Sequence, residues 1–270
     1  MKHIPRYPIV LVHGFGFRDN DHFGYWGRIP KMLESIGCRV FYGEQDAVAD
    51  TATNGKHLAS RIGQILALTG AEKVNIIAHS KGGLDSRYAI SVLGMAGQVA
   101  SLTTLATPHH GSKTVDRLMK LPKILVCVVG KTTDLWFRLL GDQQPNACQV
   151  FRDFTTPAAA RFNAGVPDRE GVLYQSYAFV MHGPTSDALL WLPNLVVHRL
   201  EGENDGLLPP EMVKWGQFRG VCRGIGRRGI SHLDQIDFRR KPLALRHGEI
   251  TLDILAFYQK IVEELAERGC

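Results

Sequence analysis

The chain has 270 residues, of which 44% are hydrophobic and 21% charged, and its net charge is +6. Length and balance describe a soluble globular protein that can bury a real core. They exclude a disordered, collagen-like or fibrous chain. The positive charge points toward acidic partners. The basic residues are scattered, however, and the densest run (Arg223–Arg228, then Arg239, Arg240 and Lys241) is broken by glycines, so nucleic acid is not an expected partner.

The five cysteines, at 38, 127, 148, 222 and 270, are odd in number and contain no CxxC pair. Neither a zinc knuckle nor a disulfide framework follows, and reduced thiols are expected. The opening "MKHIPRYPIVLVHG" is no signal peptide, and no stretch reaches the roughly 18 apolar residues of a membrane span. The expectation is therefore no integral membrane segment. The location is cytoplasmic, or reached by an export route that uses no cleaved N-terminal signal. Oligomeric state is not legible.

In chain order, "PIVLVHG" (Pro8–Gly14) is a continuous apolar run of the kind that forms a strand buried on both faces. "CRVFY" (Cys38–Tyr42) is a second strand. "KHLASRIGQILALTG" places Leu58, Ile62, Ile65, Leu66 and Thr69 on one helical face and ends at Gly70, a C-cap. Lys73–His79, Ala100–Pro108 and "NLVVHRLEG" (Asn194–Gly202) are three further strands, and Glu249–Arg268 is a closing helix. Strands separated by helices imply a parallel α/β sheet. The apolar, helical stretch from Leu121 to about Phe162 breaks this rhythm. One domain over 1–270, with a cap inserted at about 112–165, is the simplest organisation.

"IIAHSKGGLDSRY" (Ile76–Tyr88) carries the chemistry. It has the form Gly-x-Ser-x-Gly with alanine in the first glycine's place, between a strand and a helix, as in the nucleophile elbow of an α/β-hydrolase. Strand and helix backbones converge there, so the flanking residues must be small, and Ala78, Gly82 and Gly83 are. A serine hydroxyl needs a base, and the base needs an orienting acid. In this fold the chain order is serine, acid, histidine. Asp205, in the turn-rich "ENDGLLPP", is preferred as the acid over Glu203. Downstream of it stand only His232 and His247, and His232 is preferred because it lies in a loop. The oxyanion donors are the backbone N–H groups of Lys81 and of Phe15, the latter in the glycine-flanked loop after the first strand.

With "PIVLVHGF", "YWGRIP", "IIAHSKGGLDSRY", "LTTLATPHHGS", "ENDGLLP" and "ISHLDQI" in this order, the chain resembles the true bacterial triacylglycerol lipases, from Pro8 to about Asp237. It stands between the Pseudomonas/Burkholderia/Proteus group and the thermoalkalophilic Bacillus-type group, and the Ala78 form of the elbow is like the latter. The resemblance implies an α/β-hydrolase fold with a mostly parallel central sheet and a helical lid. It implies Ser80, Asp205 and His232 as triad, with Phe15 and Lys81 as oxyanion donors. The lid corresponds to Leu121–Leu140, where Trp136, Phe137, Leu139 and Leu140 cluster near Lys131 and Arg138.

There are departures from the family pattern. Lys81 stands where Gln or Met is usual, "NDGLLPPEM" has no cysteine just after the acid, and there is no room before the elbow for a zinc subdomain. The pair His109-His110 falls in a loop that is structural in the family. The resemblance also implies a structural calcium, not needed for the chemistry, with Asp234 as one ligand. Its partner would fall on Phe238 or Arg239, neither of which can serve, while Asp237 and Asp187 are stand-ins. The functional expectation is a carboxylic ester hydrolase acting on acylglycerols at an oil–water interface. A short-chain or polymer esterase and an acyltransferase are alternatives on the same fold. A non-catalytic protein with a relic triad is the third reading.

Overall fold

The computed structural model describes residues 4–18 and 24–270, without the side chains at 123–127 and 129. One eight-stranded sheet organises the chain, in the order β2-β1-β3-β4-β5-β6-β7-β8. These strands are β1 (Ile9–Val12), β2 (Val40–Tyr42), β3 (Val74–His79), β4 (Val99–Leu105), β5 (Leu173–Val180), β6 (Gln217–Gly224), β7 (Ala244–His247) and β8 (Ile250–Asp253). The first six run parallel, β7 pairs antiparallel to β6, and β8 pairs antiparallel to β7.

The unbroken apolar runs of β1 and β3 have a simple cause, because the sheet is covered on both faces and the pleat divides their side chains between two cores. Ile9, Leu11 and Ile77 face α1 (Ile29–Ser35) and α9 (Ile254–Glu267), where Ile29, Leu33, Phe257, Ile261 and Leu265 are buried. Val10, Val12, Ile76 and Ala78 face α2 (Thr51–Thr69) and α3 (Gly82–Ser91), against Leu58, Ile62, Ile65 and Ile90. Each fully buried aliphatic side chain contributes about 1.5–3 kcal/mol. As the heptad-like spacing of α2 predicts, Leu58, Ile62 and Ile65 are its buried stripe, and Gly70 closes it in the left-handed region with its N–H on the Leu66 carbonyl.

Between β4 and β5 the regular elements are all helices: α4 (Lys113–Leu118), α5 (Lys123–Leu139), α6 (Ala147–Asp153) and α7 (Thr156–Gly165). Asn194–Gly202 is not a strand. It lies in α8 (Trp191–Glu201), and the sheet position ahead of the acid belongs to β5. The run "LVV" read as a buried strand, yet only Asn194 and Val197 of α8 are buried, while Leu195 and Val196 face solvent. The closing helix also starts later than its periodicity suggests, because Ile250–Asp253 forms β8. Cys38, Cys222 and Cys270 are free thiols, and the Cys127 side chain lies outside the described residues.

β1 pairs with β2 on one side and β3 on the other, so the chain changes direction across the sheet between β1 and β3. At such a switch point the loops leaving the carboxyl ends of adjacent strands part and open a crevice. The pairs Leu11↔Ile77 and Val12↔Ala78 set the loop after β1 beside the turn after β3.

Asp253 caps α9 by accepting from the Leu255 N–H (2.9 Å), and its other oxygen accepts from the Leu243 N–H (3.1 Å). Asp253→Ala is expected to lower the unfolding free energy by about 1–2 kcal/mol in a urea titration, with activity per folded molecule unchanged.

Candidate active site

Ser80 ends β3 with φ 52°, in the left-handed region that a non-glycine residue adopts at a cost. Its N–H donates to the Leu105 carbonyl (2.9 Å), and the Thr107 hydroxyl donates to its carbonyl (2.7 Å). α3 begins immediately, and its first amides have no partner inside the helix. A Cβ on Gly82 would stand 2.4 Å from the His13 carbonyl oxygen and one on Gly14 2.8 Å from the Ser80 Cβ. The small residues required by the converging backbones are thus required by contact with the loop after β1.

That loop carries Phe15. The His13 ring holds it from behind, reaching the carbonyls of Gly14 (2.8 Å) and Gln45 (3.0 Å). Its tie to the elbow is Tyr25. The Gly14 N–H donates to the Tyr25 hydroxyl oxygen (3.0 Å), and that hydroxyl lies 2.6 Å from Nδ1 of His79, the residue before the serine. Burial holds His79 well below the ordinary imidazole range, so its ring is neutral, and its tautomer sets which member of the Tyr25–His79 pair donates. Sequence reasoning assigned no role to Tyr25 or His79. The signals were the "YWGRIP" segment and the histidine ahead of the serine.

The structure brings Asp205 and His232 together. Nδ1 of His232 lies 2.7 Å from Oδ2 of Asp205, with both side chains buried. Oδ1 accepts from the amides of Leu207 (3.0 Å) and Leu208 (2.9 Å), and Oδ2 also accepts from Nε2 of Gln235 (2.7 Å). These bonds fix the carboxylate with one lone pair on the histidine. Gln235 is a further residue that motif reading passed over. The His232 ring packs on that of His79, with centroids 4.4 Å apart, which sets it at the elbow. Asp205 reaches this place from α8, through the Met181 N–H on the Asn204 carbonyl (2.8 Å) beside the end of β5. The competitors are engaged elsewhere. Glu203 is exposed and pairs with Arg223 (2.8 Å), and His247 meets the Arg219 carbonyl (2.6 Å).

The Lys81 side chain does not reach toward the serine. Its ammonium lies 2.6 and 2.9 Å from the two oxygens of Asp85, one helical turn on, and both side chains are 1% exposed. Burial pushes the Asp85 carboxyl up, opposed by Lys81 and by the Asn54 amide (3.1 Å). His109 is also buried, between Thr104 (3.0 Å) and Arg87 (3.3 Å) and stacked on Trp215, and His110 meets the Lys214 carbonyl (3.0 Å).

The residues expected near calcium do not fit a metal. Asp234 and Asp187 both pair with the guanidinium of Arg239, at 2.5 Å for Asp187. Asp237 is held by Arg28 through three bonds, two from the guanidinium (2.7 and 2.8 Å) and one from the backbone N–H (2.8 Å). The space beside them is about 30 Å³, lined by Arg228, Arg239 and Lys241 as well as by Asp234 and Asp237. Ca²⁺ takes six to eight oxygens, and three cations line this wall. For Asp187, burial would raise the carboxyl. The Ser231 hydroxyl, the Leu189 amide and Arg239 outweigh it and hold the group below its ordinary value.

A buried pair is strongly destabilised by removing one member and much less by replacing both with apolar groups. Lys81→Met is expected to cost about 3–5 kcal/mol, and Lys81→Met/Asp85→Leu to recover most of it, in denaturant titrations. Because the ammonium is turned away, Lys81→Gln is expected to leave the shape of the pH–rate profile unchanged.

Residues 8–164 match the family model described as palmitoyl protein thioesterase. The chain is 31% identical over 265 residues to triacylglycerol lipase 2 of Saccharomyces cerevisiae, covering 91% of this chain and 74% of that one. A triacylglycerol lipase of Pseudomonas fragi is 30% identical, with 92% of this chain and 94% of the relative covered. The mature Bacillus licheniformis lipase BlEst2 shares the fold, with a TM-score of 0.67 at 22% identity over 88% of each chain. The chain belongs to the triacylglycerol lipase family of α/β-hydrolases.

Proposed function

We propose that the chain is a serine hydrolase of carboxylic esters and that acylglycerols are its substrates. The observation that carries this reading is the Asp205–His232 bond of 2.7 Å, delivered against the residue preceding Ser80. Ser80 attacks the ester carbonyl while His232 takes its proton. Asp205 keeps the imidazole oriented and stabilises the imidazolium. The N–H groups of Phe15 and Lys81 receive the negative charge of the tetrahedral oxygen. His232 then protonates the departing alcohol, and water repeats the sequence on the acyl-enzyme. A neutral His79 beside His232 adds no repulsion when the imidazolium forms.

The substrate class follows from the apolar walls. Phe15 packs on Phe151 and Phe154, with centroids 5.5 and 6.4 Å apart, and clusters with Phe137 of α5 and with Ala47, Val48 and Ala147. This apolar surface next to an oxyanion donor suits an acyl chain. Of the four residues expected in a lid, Phe137 faces inward, and Trp136, Leu139 and Leu140 are 60%, 76% and 54% exposed. α5 thus presents an apolar face to solvent from above the site, which is how an amphipathic cover meets an oil surface. Lys131 and Arg138 are also exposed on it. Among the described residues no helix is long and apolar enough to cross a membrane. The thioesterase family match favours one second substrate, an acyl thioester, which the same steps would cleave.

Hydrolysis of p-nitrophenyl esters from acetyl to palmitoyl, with an acyl thioester in parallel, tests the chemistry. Ser80→Ala is expected to lower kcat by at least about 10⁴-fold and to abolish labelling by a fluorophosphonate. Activity that survives the substitution would overturn the mechanism. For the cover, Trp136→Asp/Leu139→Asp is expected to lower turnover of emulsified triacylglycerol by about tenfold or more, with little change on a dissolved short-chain ester. Equal losses on both substrates would remove the interfacial role.

A further inference from the structure

The loop that carries His232 is fastened to a distant part of the chain by Arg228, which donates to the Ser186 carbonyl (3.0 and 2.8 Å), and by Arg239. Arg239 reaches Asp187, which lies in the loop between β5 and α8, and Asp234, two residues beyond the histidine. The Asp187 side chain is fully buried, and its other oxygen accepts from the amides of Leu189 (2.9 Å) and Leu190 (3.3 Å). The second oxygen of Asp234 accepts from the Ser231 N–H (3.1 Å), which closes the turn around the histidine. Two buried carboxylates from separate loops therefore face one planar guanidinium.

We infer that Arg239 is the built-in counter-cation of this histidine loop, a positioning residue that takes the structural place of a divalent ion. The physical requirements are those of a metal site: two carboxylates from different segments, one cation between them, and every remaining oxygen satisfied by backbone amides. A guanidinium meets them with its rigid fork and a permanent charge. It leaves only about 30 Å³ beside it, walled by Arg228 and Lys241. Removing the guanidinium vacates the space between the carboxylates and restores an oxygen-lined site that a hard divalent cation can enter. The inference rests on His232 being the general base of the proposed reaction.

The test compares wild type, Arg239→Asn and Arg239→Lys for thermal stability and for kcat and KM, each with EDTA and with millimolar CaCl₂. Wild type is expected to be indifferent to both additions. Arg239→Asn is expected to melt several degrees lower and to lose about tenfold in kcat with little change in KM, since the base rather than the substrate cleft is displaced. Calcium is expected to restore both its melting temperature and its kcat. Arg239→Lys, which keeps the charge but loses the fork, is expected to fall between the two and to gain little from calcium. Wild type that loses stability in EDTA, or Arg239→Asn that matches wild type or ignores calcium, would overturn the inference. If Arg239→Asn does not fold, the wild-type and Arg239→Lys arms decide it alone. Melting curves repeated on the Ser80→Ala background read the clamp without turnover, so that failure of the clamp and failure of the esterase reading are distinguishable.

Discussion

The left-handed backbone at Ser80 is the constraint on which the rest of the site depends. Such a conformation costs about 1–3 kcal/mol and persists only where its surroundings enforce it. Here the enforcement comes from the bond to Leu105 on the neighbouring strand, from the Thr107 hydroxyl, and from the close approach of Gly82 to the first loop. The reward is geometric. β3 stops, α3 starts, and the serine stands at the rim with free helix amides beneath it. Every other group, from Phe15 to His232, is placed relative to that turn.

Once the turn is fixed, charged pairs do much of the remaining positioning. Arg28 comes from just ahead of α1, yet it holds Asp237, 209 residues away in sequence. Arg239 joins the histidine loop to the segment before α8. Lys81 and Asp85 neutralise each other within α3. Surface ion pairs contribute little, but these have at least one deeply buried member, so each carboxylate must keep its cation and the loops must keep their register. The result is a His232 loop held from two sides by charged pairs.

Local signals in the sequence located the elbow, the first four strands and the stripe of α2, because each rests on residues close together in the chain. The pattern Ala-His-Ser-Lys-Gly sits between an apolar run and a helical one, and nothing distant is needed to read it. The strand ahead of the acid failed for the opposite reason. "NLVVHRL" and "LYQSYAFV" are both apolar enough for a strand. Which one enters the sheet is decided by register against β4 and β6, information that no short window contains. Tyr25, Gln235 and Arg239 were invisible as participants for the same reason. Tyrosine, glutamine and arginine are ordinary loop residues until the fold sets them beside His79, Asp205 and Asp187. Arg239 shows this most clearly, since in the sequence it reads only as a position where a carboxylate is missing.

The Tyr25 hydroxyl, accepting from the first loop and hydrogen-bonded to the histidine before the serine, makes the loop after β1 and the turn at Ser80 a single mechanical unit. Neither half can be retuned alone. A change that moved the loop would drag the serine turn with it. The helices at 113–165 meet this unit through apolar packing around Phe15 and through polar ties: Arg18 of the first loop donates to the Leu140 carbonyl (3.0 Å), and Arg87 of α3 donates to Asn163 of α7 (2.8 Å). A substitution in the helices between β4 and β5 is therefore transmitted to the turn at Ser80 where it falls on one of these ties, and is absorbed by repacking where it falls on the apolar surface.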